Sequence, residues 1–192
     1  MKNEIQDILD ELRAIKNFPS TNPKRDKTRM KVCLDPTQKI EAFCLGKARA
    51  YHLKKLTNCA KNKRFSKLLE VCDIAVKKFD PNFQYTTIQI NKNVKCAPHT
   101  DKNNAGVSVA ISLGDFTGGG IIQYNTDGSE EFIDTKNCFK YQDGNIKHTT
   151  APFEGERYAL IFFYHQFGCH PRGDVKKEDL IAYRDKVLTH TQ

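Results

Sequence analysis

Apolar side chains at Ile5, Ile8, Leu9, Leu12 and Ile15 recur at helical spacing, which predicts an amphipathic helix over residues 2–17. The stretch that follows, 17–35, holds Pro19, Pro23 and the run Lys24-Arg25-Asp26-Lys27-Thr28-Arg29, and reads as a basic loop or arm over about 24–31. Asp35-Pro36 has the chemistry of a helix start, Asp as N-cap and Pro in the first turn. Behind it the mixed apolar positions Ile40, Phe43, Leu45, Ala48 and Tyr51 predict a helix over 36–56. Phe65, Leu68, Leu69, Cys72, Ile74, Ala75 and Phe79 predict a third over 64–79, stopped by Asp80-Pro81-Asn82.

From Tyr85 onward the pattern changes to short β-rich runs. They are Thr86 to Ile90, Val107 to Leu113, Ile121 to Tyr124, Glu131 to Ile133, Cys138 to Tyr141 and Arg157 to Tyr164. Turn signals separate them: Gly114-Asp115, Gly118-Gly119-Gly120, Asp127-Gly128 and Asp143-Gly144. No helix and no Lys-Ser/Thr follows the glycine triplet, so it reads as a turn into a strand and not as a phosphate cradle. A last helix is expected over 175–188, after His170-Pro171. Closely spaced short strands suggest a sandwich or jelly roll. The expected fold is α+β, a β core with N-terminal helices packed on it and a short C-terminal helix. One domain is expected over 1–192: a helical, basic region over 1–84, the β core over 85–165 and the closing helix over 166–192.

Charge changes the picture. The chain carries +8 overall, but residues 1–95 hold 21 Lys/Arg against 10 Asp/Glu and residues 96–192 hold 10 against 13. The basic excess therefore lies ahead of the β core, as a solvated lysine-rich surface or a footprint for a polyanion such as nucleic acid. No apolar run approaches the ~20 residues of a membrane helix, and the N-terminus has no secretory apolar stretch. A soluble, monomeric protein is expected. Seven scattered cysteines without a C-x-x-C pair point away from a zinc module or disulfide framework. They fit a reducing compartment: cytoplasm, nucleus or, for a viral protein, a host cell.

The chemistry gathers around His99-Thr100-Asp101, His148 and Arg157. On a strand, residues i and i+2 face one side, so His99 and Asp101 can share a centre that His148 completes from a returning strand. Two imidazoles and a carboxylate hold non-haem Fe(II) on one face and leave the other open. On the strand behind, Arg157 shares a face with Ala159, Ile161 and Phe163. An inward arginine needs a buried anion, and the carboxylate of a keto acid suits its planar fork. The competing reading has Arg157 paired with Glu154 or Glu156 at the barrel mouth. His165 and His170 are expected as surface or capping groups and His52 as solvated or at the core edge. Phe162 and Phe163 are expected in the core.

The run Gln89 to Asn93, Ala97-Pro98-His99-Thr100-Asp101, Leu113-Gly114-Asp115-Phe116-Thr117-Gly118-Gly119, Asp143-Gly144, His148 and Pro152 to Tyr158 resembles the Fe(II)/2-oxoglutarate-dependent oxygenases. Within them it is most similar to the TET/JBP group, which hydroxylates the 5-methyl group of thymine or 5-methylcytosine, and its algal, protist and viral relatives. The likeness is good over about 85–165. It implies a double-stranded β-helix and oxidative decarboxylation of 2-oxoglutarate to succinate, coupled to hydroxylation of an unactivated C–H bond by O2. It also implies His99, Asp101 and His148 as iron ligands and Arg157 on the distal carboxylate of 2-oxoglutarate. Asn91 and Lys95 are candidates for the co-substrate's other end, and ascorbate for a stimulant. Prolyl-hydroxylase-type relatives usually carry Lys where Arg157 stands. The cysteine-rich region of animal TET proteins and the separate DNA-reading domain of JBP proteins are lacking.

Three functions compete. The leading one is hydroxylation of a 5-methylpyrimidine in DNA, with the base flipped out and the basic half on the phosphates. The second keeps the chemistry on a protein side chain or small molecule. The third is a non-enzymatic DNA-binding module, which need not retain all four site residues.

Overall fold

In the computed structural model, residues 1–21, 33–34, 39–50, 55–169 and 175–189 are described. The central strands of its main sheet alternate with period two. In β4 (Thr87–Lys92), β5 (Asn104–Leu113) and β12 (Tyr158–His165), one face carries Ile88, Ile90, Val107, Val109, Ile111, Leu113, Leu160 and Phe162, all buried in one core. The opposite face carries Gln89, Asn91, Ser108, Ser112, Ala159 and Ile161. The apolar face packs on α1 (Lys2–Arg13) and α2 (Ser66–Phe79), whose Ile8 and Leu12, and Leu68, Val71, Cys72, Ala75 and Val76, join the same core. Helical spacing on one side and strand spacing on the other therefore build a core outside the barrel, and leave a mixed polar and apolar face toward the barrel interior.

The main sheet runs β1 (Ser20–Thr21), β2 (Ile40–Ala50), β4, β12, β5 and β9 (Lys140–Gln142), with β3 (Lys55–Asn58) paired to β2. All pairings are antiparallel. Two smaller sheets accompany it. One orders β10 (Lys147–Thr150), β7 (Ile121–Tyr124) and β8 (Glu130–Ile133); the other pairs β11 (Phe153–Gly155) with β6 (Phe116–Gly118). α3 (Lys177–Thr189) lies against β5 and buries Leu180. Asp80, at the end of α2, accepts hydrogen bonds from Tyr141 Oη at 2.7 Å and from Tyr183 Oη, which joins α2, β9 and α3. This is α+β with a jelly-roll core and helices on the main sheet.

The sequence reading needs one correction. Among the described residues the helix expected over 36–56 is replaced by strand: Ile40–Ala50 is β2, in register with β4 through Ala42↔Asn91, Phe43↔Ile90 and Leu45↔Ile88. Both faces of β2 are covered, so its apolar positions form a nearly continuous run that periodicity cannot tell from a buried helix. The described residues of 1–84 thus include three strands as well as two helices. The short strands β1, β3, β6 and β11 were not anticipated as such. The basic arm at 24–31, the Asp35-Pro36 signal, His52 and His170 lie outside the described residues. Among the described residues no helix is long and apolar enough to cross a membrane.

Candidate active site

The backbone brings the two histidines together. His99 N–H donates to the His148 carbonyl and His148 N–H to the His99 carbonyl, both at 2.9 Å, an isolated antiparallel bridge. Two residues on, Asp101 N–H donates to the Gly144 carbonyl at 2.7 Å. Each imidazole is oriented from behind: His99 Nδ1 lies 2.7 Å from the Ala97 carbonyl and His148 Nδ1 lies 2.8 Å from the Ile146 carbonyl. A carbonyl only accepts, so both Nδ1 atoms carry the proton and both Nε2 atoms present lone pairs. His99 Nε2 is 3.8 Å from Asp101 Oδ1 and His148 Nε2 is 3.9 Å from Asp101 Oδ2. One ligand atom from each of the three lies within 4.8 Å of the others. Burial lowers the pKa of His148, which favours the neutral ring a metal needs.

Gly144 makes this approach possible. A Cβ there would lie 2.9 Å from Asn104 Nδ2 and 3.3 Å from Asp101 Cβ. The Asp143-Gly144 turn thus works as a close-packed back wall for the acidic ligand.

The trio opens into a cavity of about 230 Å³ between the main sheet and the smaller ones, lined also by Gln89, Asn91, Asn104, Gln142, Arg157 and Phe163. This is slightly below the usual size of ligand sites. Its apolar wall comes from Ile40, Val94, Ile121, Ala159 and Ile161.

Arg157 is 4% exposed, just ahead of β12. Its backbone N–H donates to Asn93 Oδ1 at 2.8 Å, and the Asn93 N–H donates back to its carbonyl at 2.8 Å. Asn93 holds φ +54°, a left-handed conformation that Asn tolerates. The guanidinium donates to Ser112 Oγ at 2.8 Å and lies 5.2 Å from the Phe153 ring centroid and 5.8 Å from that of Phe116. Gly119, at φ +81°, leaves it room, since a Cβ there would come within 3.1 Å of Nε. Among the described residues no carboxylate pairs with it, and Nε is buried with no partner. Burial pushes its pKa down to about 10, which still leaves it charged at neutral pH. Glu156 pairs instead with Arg13 at 3.3 Å and Lys92 at 3.4 Å. The competing reading of Arg157 fails for that reason, and the residues present fit an anionic ligand.

Other candidates divide. Asn91 lines the cavity, its Oδ1 accepting from Gln89 Nε2 at 2.8 Å. Lys95 is exposed and does not line it; its Nζ sits 5.1 Å from the Phe153 ring centroid. Phe162 is in the core, whereas Phe163 is on the cavity wall, because alternate β12 residues face opposite ways. His165 does cap, its Nδ1 accepting from Phe167 N–H at 3.2 Å, but it is buried and not on the surface. Sequence reasoning missed Ser112, Asn104 and Gln142. For Ser112 the available signal was period-two placement, a polar residue inside a strand whose alternate positions are apolar.

No family model matches the sequence, and no curated protein matches it. Solved structures do. A prolyl hydroxylase from Trichoplax adhaerens, in complex with a hypoxia-inducible-factor peptide, aligns at TM-score 0.55 and 13% identity, covering 95% of this chain and 80% of its own. An oxidoreductase of the 2OG-Fe(II) oxygenase family from Burkholderia pseudomallei aligns at TM-score 0.55 and 18% identity, covering 82% and 78%. NgTET1 in complex with 5mC DNA aligns at TM-score 0.48 and 15% identity, over 85% and 75%, a likeness too loose to carry an argument. The chain has the jelly-roll fold of the Fe(II)/2-oxoglutarate oxygenases, with a His-Asp-His trio and a buried arginine opening into one cavity.

Proposed function

We propose that the protein is an Fe(II)- and 2-oxoglutarate-dependent dioxygenase that hydroxylates the 5-methyl group of a pyrimidine base, 5-methylcytosine or thymine, in DNA. One observation carries the enzymatic part: a preformed His-Asp-His trio and an arginine without a counter-ion share one small cavity. His99, Asp101 and His148 would hold the metal. When bound, iron supplies the activation of O2, coupled to decarboxylation of the keto acid, that C–H hydroxylation needs.

The protein's own share is positioning. The two Nδ1–carbonyl hydrogen bonds fix both imidazoles, and the Gly144 carbonyl fixes the Asp101 backbone. Arg157, held by Ser112 between two aromatic rings, would take the distal carboxylate of 2-oxoglutarate. Ile121, Ala159 and Ile161 would keep water from the keto acid.

The substrate rests on different ground, the resemblance of the motifs to the TET/JBP group and the basic first half. Lys47, Lys55, Lys61, Lys63 and Arg64 are exposed on β2, on β3 and on the approach to α2, which supports a polyanion partner. Phe163 on the cavity wall is an aromatic face beside which a flipped base could stack. Cys59, Cys72, Cys96, Cys138 and Cys169 are free thiols, in keeping with the reducing compartment we infer.

The test is mass spectrometry of nucleosides from 5-methylcytosine-bearing and thymine-bearing DNA incubated with protein, Fe(II), ascorbate and 2-oxoglutarate. A hydroxymethyl base that disappears with His99→Ala is expected, with a yield that falls steeply as salt is raised. Succinate release without base oxidation would reject the DNA substrate and move the chemistry to a protein side chain or small molecule.

A further inference from the structure

Two buried side-chain donors that line the same cavity, Arg157 Nε and Gln142 Nε2, have no partner among the described residues. Gln142 is 2% exposed. Leaving a buried amide N–H unpaired is costly, so its retention calls for a ligand that accepts from it.

The strand register places the two donors at opposite ends of the cavity. Arg157 precedes Ala159, which pairs with Ser112, the residue that accepts from the guanidinium. Gln142 pairs with Ser108, four residues along β5 on the same face, about 13 Å away at strand spacing. Gln142 also lies two residues before Gly144, whose carbonyl holds Asp101 N–H, so it stands at the metal end. Asn91 pairs with Ala159 and so stands at the Arg157 end. Lys95 is outside the cavity lining. Of the polar side chains weighed for the second end of the co-substrate, Gln142 alone combines the metal-end position with a donor known to be unpartnered.

We infer that Gln142 donates from Nε2 to the carboxylate next to the keto group of 2-oxoglutarate, so that two orphaned donors hold the two ends of one dicarboxylate. This rests on the 2-oxoglutarate reading above. A neutral amide suits this end. It adds a hydrogen bond to an anion without adding a charge beside the metal trio, where a lysine would compete with the cation for Asp101.

The experiment is a calorimetric titration of 2-oxoglutarate into Mn(II)-loaded protein, for wild type, Gln142→Leu, Gln142→Glu and Arg157→Met. A separate titration with Mn(II) alone accompanies each, with a thermal melt to check folding. Gln142→Leu is expected to weaken 2-oxoglutarate about ten- to hundredfold with Mn(II) affinity unchanged, and Gln142→Glu to weaken it more, through repulsion. In anaerobic Fe(II) protein saturated with 2-oxoglutarate, the visible band of the chelated keto acid should shift in Gln142→Leu and stay in place in Arg157→Met. Unchanged 2-oxoglutarate affinity in both Gln142 variants overturns the inference, as does a parallel loss of Mn(II) affinity or an unshifted band. Wild-type protein that binds Mn(II) but not 2-oxoglutarate would refute the 2-oxoglutarate reading itself.

Discussion

Arg157→Met should make the ligand-free protein more stable while strongly weakening its binding of a keto acid. The guanidinium is 4% exposed, without a carboxylate among the described residues, and its pKa falls from 12.5 to about 10. At 1.36 kcal/mol per pH unit, keeping it charged costs about 3 kcal/mol. Against that stand its hydrogen bond to Ser112, about 1 kcal/mol, and its contacts with Phe116 and Phe153, about 1 kcal/mol together. Met fills similar length without charge, and Ser112 Oγ keeps its 2.8 Å contact with Thr135 Oγ1. The net expectation is a gain of about 1 kcal/mol, or roughly 2–4 °C in Tm for a chain of this size. Wild type should gain about 2.7 kcal/mol at 2-oxoglutarate a hundredfold above its Kd with Mn(II) present, and Arg157→Met far less at the same concentration. Thermal melts with and without 2-oxoglutarate read both effects. A ligand-free variant destabilised by more than about 2 kcal/mol would show that Arg157 is a structural anchor and refute the reasoning.

Other outcomes follow from the same geometry. Gly144→Ala should weaken metal binding about tenfold or more, because the new methyl meets Asn104 and Asp101; equal Mn(II) affinity by calorimetry would contradict it. Metal binding should weaken as pH falls and protons compete for the ligands, with protonation of His148 delayed to lower pH than for an ordinary imidazole because burial lowers its pKa; NMR titration of the His148 imidazole resonances checks the direction. Burial alone would raise the pKa of Asp80, but hydrogen bonds from Tyr183 and Tyr141 overcome it and the net direction is down. Its folded pKa thus lies below the unfolded value, so its stabilisation is present above about pH 4 and is lost as pH falls through the folded value. Melts against pH should show the gap between wild type and Asp80→Asn closing at the acid end.

The elements the sequence made readable are those with a single period. α1 shows Ile5, Ile8, Leu9 and Leu12 on one face, and Arg157, just ahead of β12, shares a side with Ala159, Ile161 and Phe163, so helix, strand and inward arginine could each be read. β2 could not, because Phe43 and Leu45 face the helices while Ile40 and Ala42 are covered on the other side, and burial on both faces erases the period. The metal trio was legible from residue type and spacing. Its support was not: the His99–His148 bridge and the Gly144 carbonyl are backbone contacts, which leave no mark in side-chain identity. Gln142 escaped notice for a related reason, since only the β9–β5 register turns an ordinary polar strand residue into a cavity donor.

The most direct measurement is anaerobic addition of Fe(II) and then 2-oxoglutarate to the purified protein, followed by admission of O2 and a count of succinate per iron. The account predicts one iron per chain, a visible band on adding 2-oxoglutarate that Arg157→Met weakens, and succinate only after O2 enters. No stoichiometric iron binding, or iron binding unchanged in a His99→Ala, His148→Ala double variant that still folds, would contradict it.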